Sequence, residues 1–194
     1  MKQFCTIIFL TIGLLAQGQN AIEWDREYQL QLSDFQSPAT QIGQGNIYFI
    51  SVSSSFDFAF QMNSFEFMVT KNFNSKVDCS FKRDAAVIVA PDTLMALDLL
   101  AFARYEFDLS ELYARKFRKK IVEKKKGFSD VNFYSPIYDE IQKEYVTTRA
   151  LAAKSTDLGR NKEILSELHS EVLKEIQLLA DFCKMCNPKK KKNK

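Results

Sequence analysis

The sequence predicts an α+β fold, an antiparallel sheet of about four or five strands followed by three helices. Three observations carry that prediction. Between Tyr48 and Phe81 apolar residues recur at every second position, from Thr93 onward they recur at every third or fourth, and the 17 phenylalanines call for strands or a large aromatic core. With 46% hydrophobic and 26% charged content over 194 residues, the chain suits one domain with a real core and argues against disorder or a multidomain machine. Six Gly and four Pro exclude collagen-like and low-complexity chains.

Residues 19–45 read as a polar, extended lead segment anchored by Trp24, Leu30, Leu32 and Phe35 and closed by Gly43-Gln-Gly45. The alternation that follows places Tyr48, Ile50 and Val52, then Phe56, Phe58 and Phe60, then Phe65, Phe67 and Val69, then Val77, Cys79 and Phe81 on the buried face of a meander. Turn chemistry at Ser53 to Ser55, Asn63-Ser64 and Asn72 to Ser75 separates these runs, and Ala85 to Ala90 reads as a fifth strand stopped by Pro91.

The first helix is expected from Thr93 to about Lys125, with Asp92 or Thr93 as N-cap and Gly127 ending it. Leu99, Phe102, Glu106, Leu109, Tyr113 and Phe117 form its inward stripe, while Arg115, Lys116, Arg118, Lys119 and Lys120 read as a solvated basic face near the C-terminal end. A second helix is expected from Ile137 to about Ala153, with Ile141, Tyr145 and Ala152 inward. A third runs from about Arg160 to Phe182 on Leu165, Leu168, Val172, Ile176 and Leu179.

At the N-terminus, Lys2, an apolar stretch from Phe4 to Ala16 and the small-x-small triplet Ala16-Gln17-Gly18 read as a signal peptide over residues 1–18. The apolar stretch is too short to span a bilayer, which takes about 20 residues, so the mature chain is expected to be secreted or periplasmic rather than an integral membrane protein. The folded unit is then 19–186, and 187–194 is a disordered, lysine-rich tail. Five lysines fall in the last six residues. Taking those and Lys2 from 27 bases leaves 21 against 24 acids, so the body is mildly acidic and the basicity is a tail suited to polyanionic surfaces. No aromatic residue interrupts the tail, which argues against specific nucleic-acid binding.

Cys79, Cys183 and Cys186 remain in the mature chain. Cys183-Lys-Met-Cys186 is set to close a small disulfide with Cys79 left free, although a bridge from Cys79 to either one is equally allowed by count. The pair ends a helix, whereas a redox-active pair draws its low thiol pKa from a helix start.

A single histidine, His169, excludes a three-histidine zinc site and a pair of histidine ligands one helical turn apart. Lying among Glu167, Ser170 and Glu171, it reads as a surface or boundary residue.

The helix Leu99-Leu100-Ala101-Phe102-Ala103-Arg104-Tyr105-Glu106-Phe107-Asp108-Leu109-Ser110-Glu111-Leu112-Tyr113-Ala114-Arg115 resembles a bacterial domain-of-unknown-function family described as secreted zinc-dependent proteases. There the helix reads L-L-A-H-E-x-x-H-F-D-x-x-E-x-Y-A-R, after an N-terminal I-x-W and L-x-W-x-D-F. Ile22-x-Trp24 and Leu30-x-Leu32-Ser33-Asp34-Phe35 match that segment apart from one tryptophan, and the resemblance covers nearly the whole mature chain. It implies a minimal zincin-like fold, a zinc site built by two histidines at i and i+4, and a glutamate that polarises water. Here Phe102 and Glu106 stand at the two histidine positions and Ala103 at the glutamate position, while Leu158 in Thr156-Asp157-Leu158-Gly159 falls where a third ligand would be.

The resemblance therefore implies an exported, catalytically inactive relative without a cofactor, serving as a binding or envelope-associated protein for a protein or polyanionic partner. In it Trp24, Asp34, Phe35, Phe107, Asp108, Glu111, Tyr113 and Arg115 hold the fold. One alternative is a hydrolase whose site is rebuilt from Glu106, Asp108 and Glu111 around a hard cation such as calcium. Another is a polyanion binder that works through residues 189–194.

Overall fold

The computed structural model describes residues 20–58, 64–125 and 132–187. The expected signal segment over residues 1–18, Phe60, Gly127 and the lysine run from 189 onward lie outside the described residues. The α+β class holds, with three long helices. The strands, however, form two three-stranded sheets rather than one meander.

In order along the chain the strands are β1 (Ala21–Glu23), β2 (Gln41–Ile42), β3 (Phe49–Ser51), β4 (Ser54–Phe58), β5 (Val77–Lys82) and β6 (Val87–Ala90). The first sheet has the order β1-β5-β4 and is antiparallel throughout, with Ile22 opposite Phe81 and Phe56 opposite Cys79. In the second, of order β2-β6-β3, β2 runs parallel to β6 and β3 antiparallel to it. The lead segment is the cause of the split, since it gives one outer strand to each sheet. Only Val52 and Ser53 separate β3 from β4, so the chain changes sheet there in a two-residue step.

A second correction concerns Phe65, Phe67 and Val69, whose alternation predicts a strand. Ser64–Val69 is instead a short helix, α1. Phe67 is buried while Phe65, Met68 and Val69 are exposed, so a single inward anchor sets this element rather than a whole strand face.

The three long helices are α2 (Thr93–Lys124), α3 (Ser135–Thr156) and α4 (Lys162–Leu178). Asp92 caps α2 by accepting from the Met95 amide at 2.8 Å, Pro136 occupies the first turn of α3, and Asn161 caps α4 through the Ile164 amide. Helix α2 is the axis of the molecule: α3 and α4 pack along it, and β4, β5 and β6 pack across it. From Tyr105 to Arg115 every residue except Asp108 is buried, as befits a helix enclosed on all sides.

That enclosure corrects the basic face expected on α2, because Arg115 and Arg118 are buried and ion-paired rather than solvated. Cys183 and Cys186 form a disulfide, and Cys79 is a buried free thiol. No helix among the described residues is long and apolar enough to cross a membrane.

Candidate functional site

Residues two apart on a helix lie about 200° apart around its axis, so Glu106 and Asp108 leave α2 on opposite sides. Each lines a separate concavity.

The Glu106 side gathers the positions that the family resemblance singled out. Phe102 and Glu106, one turn apart on α2, meet Leu158 from the turn after α3 around a cavity of about 250 Å³ that is also lined by Ile50, Val146 and Arg149. Leu158 is brought there by an irregular turn. Asp157, Leu158 and Gly159 all have positive φ, at 47°, 54° and 101°, and Gly159 packs so close to α2 that a Cβ placed on it would stand 2.2 Å from the Asp98 carbonyl oxygen. Ala103 is fully buried.

Glu106 is 1% exposed, and Arg149 Nε lies 2.7 Å from its Oε1. That contact is a close ion pair whose alignment falls short of ideal hydrogen-bond geometry, and Oε2 has no hydrogen-bond partner among the described residues. Burial pushes the Glu106 carboxyl up to about 7, against the opposing pull of Arg149. The residues present do not fit zinc: a phenyl ring and a leucyl side chain offer no lone pair, and the one carboxylate is engaged by a guanidinium. Glu106, Asp108 and Glu111 do not converge either. Among the described residues no group of three or more His, Cys, Asp and Glu side chains is placed to hold a metal ion.

The Asp108 side opens into a cleft of about 460 Å³ between α2, α4 and the lead segment. Asp108 is its centre. It accepts a hydrogen bond from Trp24 Nε1 at 2.7 Å on one oxygen and meets His169 Nε2 at 2.6 Å with the other, joining residues 84 and 61 positions away in sequence. The ring of His169 stands edge-on to Tyr105, with 6.0 Å between centroids. Arg115 lies over the Trp24 ring at 5.3 Å and donates from Nε to Glu111 and from Nη1 to the Ile176 carbonyl near the end of α4. Arg118 donates to the same Glu111 oxygen and to the Val77 carbonyl. Arg104, one turn before Asp108, donates from Nε to the Leu30 carbonyl and so fixes the lead segment as the cleft's outer wall.

The other expected residues serve the walls. Asp34 is buried and accepts from Tyr28 Oη and the Gln31 amide while pairing with Arg83, and Phe35 packs edge-on against Phe81. Phe107 packs on Phe81 behind the cleft, and Tyr113 shares a 2.8 Å hydrogen bond with Thr148 of α3.

Sequence reasoning missed two partners. Arg149 sits at i+4 from Tyr145 and i−3 from Ala152, on the inward stripe of α3, and a charge on such a stripe is itself a signal that something buried awaits it. The contact between His169 and Asp108 left no comparable trace, because it joins two helices whose packing only the fold fixes.

No protein-family profile, curated protein or solved structure matches this chain.

Proposed function

We propose that this chain is an exported, non-catalytic relative of the secreted zinc-dependent proteases that its central helix resembles, retained as a binding or envelope-associated protein. One observation carries the reading. Phe102, Glu106 and Leu158, which the resemblance aligns with three metal ligands from two distant stretches of sequence, line one small cavity. Their convergence is what a descendant of a metal site would keep, and their chemistry is what would end its catalysis. Without a bound metal no water is brought toward neutral pKa there, and the methyl group of Ala103 accepts no proton.

The test is elemental analysis of the purified mature chain alongside a general peptidase assay. The expected result is zinc well below one equivalent and no turnover. One tightly held zinc per chain, or metal-dependent cleavage, overturns the reading.

A further inference from the structure

The Asp108 cleft lies on the opposite side of α2 from the Glu106 cavity, and its chemistry stands whether or not that cavity once held a metal. Its polar groups fall into two sets. Asp108 has one partner on each oxygen, Trp24 and His169, and Arg115 is held by Glu111 and the carbonyls at the end of α4. Arg26 and Arg104 are different.

Seven arginines occur in the chain, and five of them end on a carboxylate: Arg83 on Asp34, Arg115 and Arg118 on Glu111, Arg149 on Glu106, and Arg160 on Asp157. The two that have no acidic partner among the described residues, Arg26 and Arg104, both line this cleft. Arg104 spends only its Nε, on the Leu30 carbonyl, which holds the planar guanidinium in place and leaves its terminal nitrogens free to donate. A guanidinium anchored in this way is preorganised for a carboxylate or phosphate oxyanion.

Apart from Gln29 and Gln177, the remainder of the cleft is largely apolar or aromatic. Phe107, Leu173 and Ile176 line it, with Trp24 and Tyr28 at the lead-segment side. Its volume of about 460 Å³ falls within the roughly 300–1,000 Å³ range of sites for small organic ligands. We infer that this cleft is a binding site for a small organic anion, its carboxylate or phosphate group held by Arg104 and Arg26 and its apolar body laid against Trp24, Phe107 and Leu173.

Trp24 is the sole tryptophan of the chain and lines this cleft and two neighbouring hollows, so its fluorescence reports binding in this region and the Arg104 variants, at a residue that lines this cleft alone among the three, assign the signal to it. The experiment titrates the full mature chain with 3-phenylpropionate, with phenyl phosphate, and with the uncharged amide of the first, at constant ionic strength. The expected result is a saturable change in Trp24 emission for at least one anion with a Kd below about 1 mM, and none for the amide. The two anions separate a carboxylate site from a phosphate site. Arg104→Met should weaken binding at least about tenfold, and Arg104→Lys by less, because a point charge keeps attraction but loses the fork. Arg26→Met serves as the second variant, since Arg26 is exposed and its loss leaves no buried group unpaired. Absence of saturation for both anions, equal binding of the amide, or affinity unchanged in Arg104→Met and Arg26→Met together overturns the assignment.

Discussion

At the scale of single residues, the Glu106 carboxyl is where burial and pairing conflict most openly. Arg149 faces one of its oxygens from a half-exposed position, so the attraction is diluted by water while the desolvation of a fully enclosed carboxylate is not. The folded state holds the proton up to about pH 7, whereas the unfolded chain releases it near 4.5. The native state therefore binds more protons between those values, and stability falls as pH rises from about 4.5 to 7, by about 3 kcal/mol at most. Glutamine is the neutral isostere of the protonated form. Glu106→Gln should flatten this decline and leave the variant more stable than the parent at pH 8, by an amount on the order of 1–3 kcal/mol, while matching it near pH 4.5. Urea denaturation at the two pH values measures both. A variant less stable than the parent at pH 8 would show that the ion pair outweighs the desolvation. Glu106 was visible in the sequence as a charge on the apolar stripe from Leu99 to Phe117, but a carboxylate on a stripe does not say whether a cation, a metal or a proton neutralises it.

At the scale of elements, the turn between α3 and α4 decides how the helices meet the central one. Gly159 has φ of +101°, and an added Cβ would strike the Asp98 carbonyl at 2.2 Å, backbone that cannot swing aside, and approach the Phe102 Cβ at 3.2 Å. Gly159→Ala should cost about 2–4 kcal/mol from strain and overlap combined. Gly43 separates the two effects: its φ is +86°, yet nothing lies within 4 Å of where its Cβ would be, so Gly43→Ala should cost only the left-handed strain of about 1–2 kcal/mol. Equal losses in the two variants, read from denaturation midpoints, would mean that α3 and α4 shift freely and that the close approach is not needed. Elements of this kind were legible to different degrees. The long helices followed from their periodicity and, for α2, from the cap at Asp92, because local sequence controls both. The partition of strands was not legible, because alternation reports that a strand has a buried face and is silent on which neighbour it pairs with. The turn expected at Ser53 to Ser55 looks the same whether the chain returns to one sheet or crosses to the other, and Ser54 and Ser55 already belong to β4. Arg118 misled for a related reason: a lysine- and arginine-rich helix end reads as solvated until the Glu111 carboxylate and the Val77 carbonyl are seen to close around it.

At the scale of the whole molecule, the segment from Ala180 to Cys186 ties β1 to the loop before β5, to β5 itself and to α2. After the short turn at Ala180–Phe182, the chain brings several carbonyls against the buried Asn74, whose Nδ2 donates to Cys183 and Cys186 at 3.1 Å each, while Asn72 Nδ2 donates to Cys186 at 2.9 Å. Lys184, between the two cysteines, bridges Glu23 of β1 and Asp78 of β5 at 2.7 Å each. The Phe182 carbonyl accepts from Arg118 near the C-terminal end of α2. All of these contacts but the last span more than a hundred residues of sequence, and they are set by the backbone path from Phe182 to Cys186, which the disulfide fixes. Closing so small a loop removes limited freedom from the unfolded chain, worth about 2 kcal/mol on the chain-entropy scale, but here it also holds an array of acceptors in register. Changing both Cys183 and Cys186 to Ser should lower stability by about 2 kcal/mol or somewhat more. Thiol reductant should lower the parent by the same amount and leave the double variant unchanged, because among its described residues the variant has only the Cys79 thiol and no bridge to break. The two arms together separate the bridge from the serine substitutions. A parent whose urea midpoint is indifferent to reductant would mean that Asn74, Lys184 and Arg118 hold the segment without it, and that the disulfide follows the fold instead of shaping it.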